Sequence, residues 1–139
     1  MDQQYDTYAY FWVAEFDCEP EFISRTLGLE PSRAFKKGDL VSENTDRRWK
    51  HSSWEYFSTL PRTEPCQDAH IENLIKIMLE RKDKILQLQS TYEVGINCVG
   101  HYYNANPGFH MSSDLIKKCA ELGVSIDFDL YNGEGILEI

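Results

Sequence analysis

Lysine and arginine are missing from both ends of this chain. None occurs among residues 1–24, which carry six carboxylates (Asp2, Asp6, Glu15, Asp17, Glu19, Glu21). None occurs among residues 121–139 either, which carry five (Glu121, Asp127, Asp129, Glu134, Glu138). Residues 25–118 hold 12 acids against 14 bases, so the net charge of −9 divides into −6, +2 and −5. Such a balance repels polyanions, and nucleic acid is not an expected partner. Were the two acidic ends to fold side by side, they would present a negative face to something positive.

Other absences narrow the class. No stretch approaches the roughly 18 uninterrupted apolar residues of a membrane span. Met1-Asp2-Gln3-Gln4 lacks the basic and apolar regions of a signal peptide, so a cytoplasmic location without membrane contact is expected. Cys18, Cys66, Cys98 and Cys119 show no Cys-x-x-Cys spacing, which argues against a disulfide framework or a zinc site and for reduced, mostly buried thiols. His51, His70, His101 and His110 are dispersed, and neither a Gly-x-Ser-x-Gly elbow nor a phosphate loop occurs. No catalytic residue, metal or cofactor is therefore expected. Without a repeat or a long linker, residues 1–139 read as one domain.

What is present is strong periodicity. Residues Tyr5–Phe16 alternate as a strand with both faces apolar, as inside a sheet. A short helix follows, with Pro20 in its first turn, a stripe of Phe22, Ile23 and Leu27, and Gly28 and Pro31 to stop it. Arg33–Lys36 suits a short strand, Lys37-Gly38-Asp39 a turn, Val41–Lys50 a loop, and Ser53–Leu60 a further strand. A long helix is predicted over about Cys66–Leu88, with Ile71, Leu74, Ile75, Met78, Leu79, Ile85 and Leu86 on one side. A strand over Glu93–Tyr103 has Gly100 as a bulge candidate. After a turn at residues 104–108 comes a helix capped by Ser112 or Ser113, with Leu115, Ile116, Cys119 and Ala120 inward and Gly123 at its end. Ser125–Tyr131 is the last strand. The order predicts an α+β fold: a ferredoxin-like β-α-β-β-α-β unit with an additional C-terminal α-β, the helices on one face of a mostly antiparallel sheet.

Leu27-Gly28-Leu29-Glu30-Pro31, Lys37-Gly38-Asp39, Ser53-Trp54, the long helix, Leu122-Gly123 and Asp127-Phe128-Asp129-Leu130-Tyr131 occur in an order that resembles the bacterial domain-of-unknown-function family numbered 4279. The resemblance covers about residues 5–132. It implies a small stand-alone bacterial protein without established catalytic residues, of a kind and size also found beside toxin genes, as immunity proteins are. Departures lie around Asn44–Lys50 and in the tail Asn132–Ile139.

Several constellations carry chemistry. Asp127 and Asp129, two apart on a strand, point the same way as Tyr131. With Glu134, Glu15 and Asp17 they form a candidate surface for a basic partner, with a solvated sheet face as the plain alternative. Arg47-Arg48-Trp49-Lys50-His51 has the local look of a nucleic-acid contact, but at this net charge it is expected as a solvated loop that can pair with the protein's own acids. Asp39, Trp54, His101 and Tyr102 are candidates for a small-ligand pocket. Tyr8, Tyr10 and Trp12 share one face of the first strand and are expected in the core. On an open sheet face they would instead serve as aromatic anchors for a partner.

The leading expectation is a non-enzymatic immunity protein that neutralises a basic, nuclease-type toxin through its acidic surface. This is the chemistry of toxin–antitoxin pairs and contact-dependent growth inhibition. A small-ligand regulatory domain is the alternative. A metal-assisted enzyme built on the carboxylate pair would need further ligands that the sequence does not identify.

Overall fold

Alternation between Tyr5 and Ala14 forms β1, and this central strand sorts the molecule into two faces. The computed structural model describes residues 5–103 and 108–132. After β1 come α1 (Pro20–Leu27), β2 (Arg33–Phe35), β3 (Ser53–Phe57), α2 (Gln67–Leu79), α3 (Lys82–Gln89), β4 (Glu93–Tyr102), α4 (Ser113–Leu122) and β5 (Ser125–Asn132). The strands join in one open sheet ordered β2-β3-β1-β4-β5, antiparallel except for the parallel β4–β5 pair. The fold is α+β, with a mostly antiparallel five-stranded sheet.

Ala9, Phe11 and Val13 of β1 are fully buried, together with Trp54, Ile96 and Cys98 of the neighbouring strands. All four helices contribute to this same core: Ile23 and Leu27 from α1, Ile71 to Met78 from α2, Ile85 and Leu88 from α3, and Leu115, Cys119 and Leu122 from α4. Tyr8, Tyr10 and Trp12 therefore lie on the other face and are only half-buried. The expectation that they form core is corrected: they are apolar because they tile the open side of the sheet.

The predicted long helix is two. Arg81 (φ −118°, ψ 20°) interrupts it, and its guanidinium donates to the carbonyl of Leu27 at 2.7 Å and of Ile77 at 2.9 Å. One side chain thus satisfies orphan carbonyls at the ends of α1 and α2, and α3 turns to keep Ile85 and Leu88 on the core. Leu86 consequently points outward, as do Phe22, Ile116 and Ala120, all expected inside. In α4 the buried stripe is Leu115–Cys119–Leu122, set by the Ser112 cap, whose Oγ accepts from the Leu115 N–H at 3.1 Å. Gly100 is no bulge; it pairs in register with Thr7. A Cβ there would collide with the Gln67 amide and the Tyr102 hydroxyl, so the glycine lets these polar groups approach the sheet. Only Cys98 and Cys119 of the four free thiols are buried; Cys18 is half-buried and Cys66 exposed. Toward the end of β5 the helix cover runs out, leaving Phe128 43% and Leu130 46% exposed.

His70 is a fully buried titratable group under this sheet. Its Nε2 faces the Glu64 carbonyl (3.1 Å), which can only accept, so Nε2 carries the proton and Nδ1 accepts from the Ser58 hydroxyl (2.7 Å). Burial lowers its pKa, against a smaller opposing effect of the Glu64 carbonyl. The unfolded chain takes up this proton near pH 6.5 and the folded protein only at lower pH. Stability is therefore whole above the unfolded value and is lost as pH falls toward the folded one. Between pH 7 and 5 the melting temperature of the wild type is expected to fall more steeply than that of His70→Asn; parallel slopes would refute the assignment.

Candidate binding site on the open sheet face

On the open face, Trp12 sits opposite Gly95 of β4. A Cβ on that glycine would lie 2.5 Å from the indole, so the ring packs closely against the β4 backbone only because Gly95 has no side chain. Its Nε1–H donates to Asn97 Oδ1 at 3.0 Å, and Asn97 Nδ2 donates to the Tyr10 hydroxyl at 2.8 Å. One amide therefore fixes two rings. Burial raises the Tyr10 pKa, partly countered by that bond from Asn97.

A second aromatic wall comes from Phe35 on β2 and Trp49 in the following loop, stacked at 3.7 Å and 14°. The loop is pinned by its own backbone: Gly38 N–H donates to Trp49 O and Trp49 N–H to Asp39 O, each at 2.9 Å. The Lys37-Gly38-Asp39 turn is closed by the Asp39 carboxylate, which accepts from the Lys36 N–H at 2.9 Å. Between the two walls lies a hollow of about 530 Å³.

Its charge is one-sided. Glu15, Glu55, Glu93 and Asp127 line it, and among the described residues no Lys or Arg does. Glu55, nearly fully buried, is committed to Arg33 (2.9 Å) and to the Ser53 hydroxyl (2.9 Å). Glu15 pairs with His51 at 2.9 Å across the mouth. Glu93 and Asp127 make no side-chain hydrogen bond or ion pair among the described residues. Beside it on the same face is a smaller hollow of about 380 Å³ bordered by Tyr8, Phe57, Arg33 and Arg62. There Arg62 lies 4.1 Å from the Tyr8 ring centre and binds Asp6 through Nε (2.5 Å) and a terminal nitrogen (2.9 Å).

The residues singled out from sequence divide accordingly. Glu15 and Asp127 come together in one hollow, because β1 and β5 flank β4. Asp129 and Tyr131 continue the same face along β5, with Tyr131 stacked on His101 at 4.9 Å. Asp17 is exposed, 3.4 Å from the Tyr92 hydroxyl. Glu134 lies outside the described residues. The pocket expected from Asp39, Trp54, His101 and Tyr102 does not assemble. Trp54 and Tyr102 are buried on the helix side, His101 stands on the open side, and Asp39 closes a distant turn. Adjacent residues in a strand point oppositely, so His101 and Tyr102 cannot share a wall. Of the basic loop, His51 meets the protein's own Glu15, and Arg48 donates to the Gly38 carbonyl at 2.7 Å.

Sequence reasoning left Phe35, Trp49, Glu93 and Asn97 out of the site. The signal for the last two was their parity: Glu93, Gly95 and Asn97 alternate with buried Val94, Ile96 and Cys98. Among the described residues, no group of three or more His, Cys, Asp or Glu is placed to hold a metal ion. No helix there is long and apolar enough to cross a membrane. Fold and face together define an α+β protein whose helices cover one side of a sheet and leave an aromatic, carboxylate-rimmed side open. The chain belongs to the family described as Domain of unknown function (DUF4279), whose model it matches over residues 4–133. No curated protein and no solved structure matches it.

Proposed function

We propose that this protein is a non-enzymatic immunity protein of bacterial origin that binds and neutralises a basic protein toxin in the cytoplasm. The observation that carries this reading is the open-face hollow, where aromatic walls stand among four carboxylates and, among the described residues, no lysine or arginine. Aromatic rings supply desolvated anchors, and unpaired acids steer a cationic partner and speed its association. The buried thiols support a binding role over nucleophilic catalysis: burial raises the pKa of Cys98 and Cys119, whereas a reactive cysteine needs it lowered. The frame is ferredoxin-like on this proposal, supported by the order β4-β1-β3-β2 with β5 added beside β4. A small-ligand regulatory role is a second reading, favoured by the volume of about 530 Å³, which falls within the usual range for such sites.

The test is binding to the protein encoded beside this gene, by calorimetry and by survival of cells that co-express the two. Asp127→Lys with Asp129→Lys is expected to weaken binding on the order of a hundredfold, as losing two or more charge-paired contacts does, and to abolish protection. Raising salt is expected to slow association. Undiminished affinity in the double reversal, or a neighbour that is neither basic nor toxic, would overturn the proposal.

A further inference from the structure

The open face holds two of the protein's own arginines in one recurring arrangement. Arg62 lies over Tyr8 and is held by Asp6 in a two-pronged grip. Arg33 lies 5.5 Å from the Phe35 ring centre and is held by Glu55 through Nε and a terminal nitrogen. In each case an aromatic surface and a carboxylate act on one planar guanidinium. Such pairing favours guanidinium, which stacks face to face on rings and bonds through a rigid fork, over a compact ammonium.

The same elements recur in the acidic hollow without an arginine of this chain. Trp12 packs against Gly95 with its Nε1–H held by Asn97, and Glu93 and Asp127 line the hollow with no side-chain partner among the described residues. We infer that this hollow takes the guanidinium of an arginine side chain presented by the binding partner, stacked on Trp12 and held by Glu93 and Asp127. The inference rests on the open face being the partner surface, and it names the group that the face reads. Charge complementarity selects a cation, the indole plane selects a planar one, and the two carboxylates, on opposite sides of Trp12 along the sheet, supply acceptors for its several N–H groups.

The three tryptophans make the test local. Trp12 and Trp49 line the hollow, whereas Trp54 is buried on the opposite side of the sheet. Their indole N–H signals in a nitrogen–proton correlation spectrum of the full chain are to be followed during titration with N-acetyl-arginine amide. The Trp12 and Trp49 signals are expected to move saturably while Trp54 stays still. N-acetyl-citrulline amide, neutral and of the same shape, is expected to bind at least tenfold more weakly, and N-acetyl-lysine amide to fall between. Glu93→Gln with Asp127→Asn should remove the preference for arginine over citrulline without altering the Trp54 signal. Equal responses to arginine and citrulline, equal movement of all three signals, or no saturable movement would overturn the inference. Arginine recognition with no toxic basic partner would leave this site standing and sink the immunity reading instead.

Discussion

Trp54→Ala is expected to lower the unfolding free energy by about 3–5 kcal/mol, the cost typical of deleting a buried aromatic side chain. Trp54 is fully buried and meets Phe11 edge-on at 6.4 Å. Its Nε1–H donates to the Ser24 hydroxyl at 3.0 Å. The residue thus joins β3 to β1 through its ring and to α1 through its nitrogen, and alanine would remove both connections. Against a total stability of about 5–15 kcal/mol for a domain, this is the most damaging single truncation we foresee. Trp54→Phe keeps most of the packing and loses the hydrogen bond, at about 0.5–1.5 kcal/mol for the bond plus a smaller cavity. Urea unfolding at constant slope measures both. A loss below about 1 kcal/mol for alanine would contradict the packing. Because Trp54 faces away from the hollow, the folded fraction of either variant should still bind the partner.

That separation was only partly legible in the sequence. Helix termini were written locally: Pro20, Gly28, Ser112 and Gly123 stand where the caps form, and both glycines adopt left-handed backbone. Strand positions were legible from alternation. Alternation alone, however, does not say which parity meets the helices. Tyr8, Tyr10 and Trp12 are as apolar as Ala9, Phe11 and Val13, and only the packing of all four helices on one side decides between them. The break at Arg81 was hidden for a related reason. Helical spacing runs through it, and its cause is a carbonyl at Leu27, distant in sequence. The candidate site was half legible. Acidic ends predicted a negative surface, and Glu15 with Asp127 joined in one hollow. Phe35 and Trp49 could not be placed with them, because a loop of this length fixes no position for its tip until Trp49 stacks on Phe35.

The acidic ends also separate into used and unused charge. Asp6 is held by Arg62, Glu15 by His51 and Glu19 by Lys36. Exposed pairs of this sort contribute little stability, but they leave less charge for a partner. On β5, Asp127 and Asp129 have no such companions among the described residues. The strand that closes the sheet therefore carries the acids best placed to act outward.

Gly95→Ala is expected to weaken recognition on the order of 30-fold or more while leaving the fold intact, if Trp12 is an anchor worth about 2 kcal/mol or more. A Cβ at Gly95 would lie 2.5 Å from one ring atom of Trp12 and 2.8 Å from another, so the indole must swing off the sheet and give up its bond to Asn97. That bond is worth about 1 kcal/mol, and replacing an in-strand glycine returns roughly 0.5–1 kcal/mol in backbone entropy. Net stability should therefore change little. Gly100→Ala supplies the opposite case on the same strand. Its Cβ would strike the buried Gln67–Tyr102 pair on the helix side, costing about 1–3 kcal/mol as polar groups lose their partners, with recognition preserved in the folded fraction. Denaturation and partner titration of the two variants separate the faces. A Gly95→Ala protein that binds normally would show that the flat Trp12 surface is not what the partner reads.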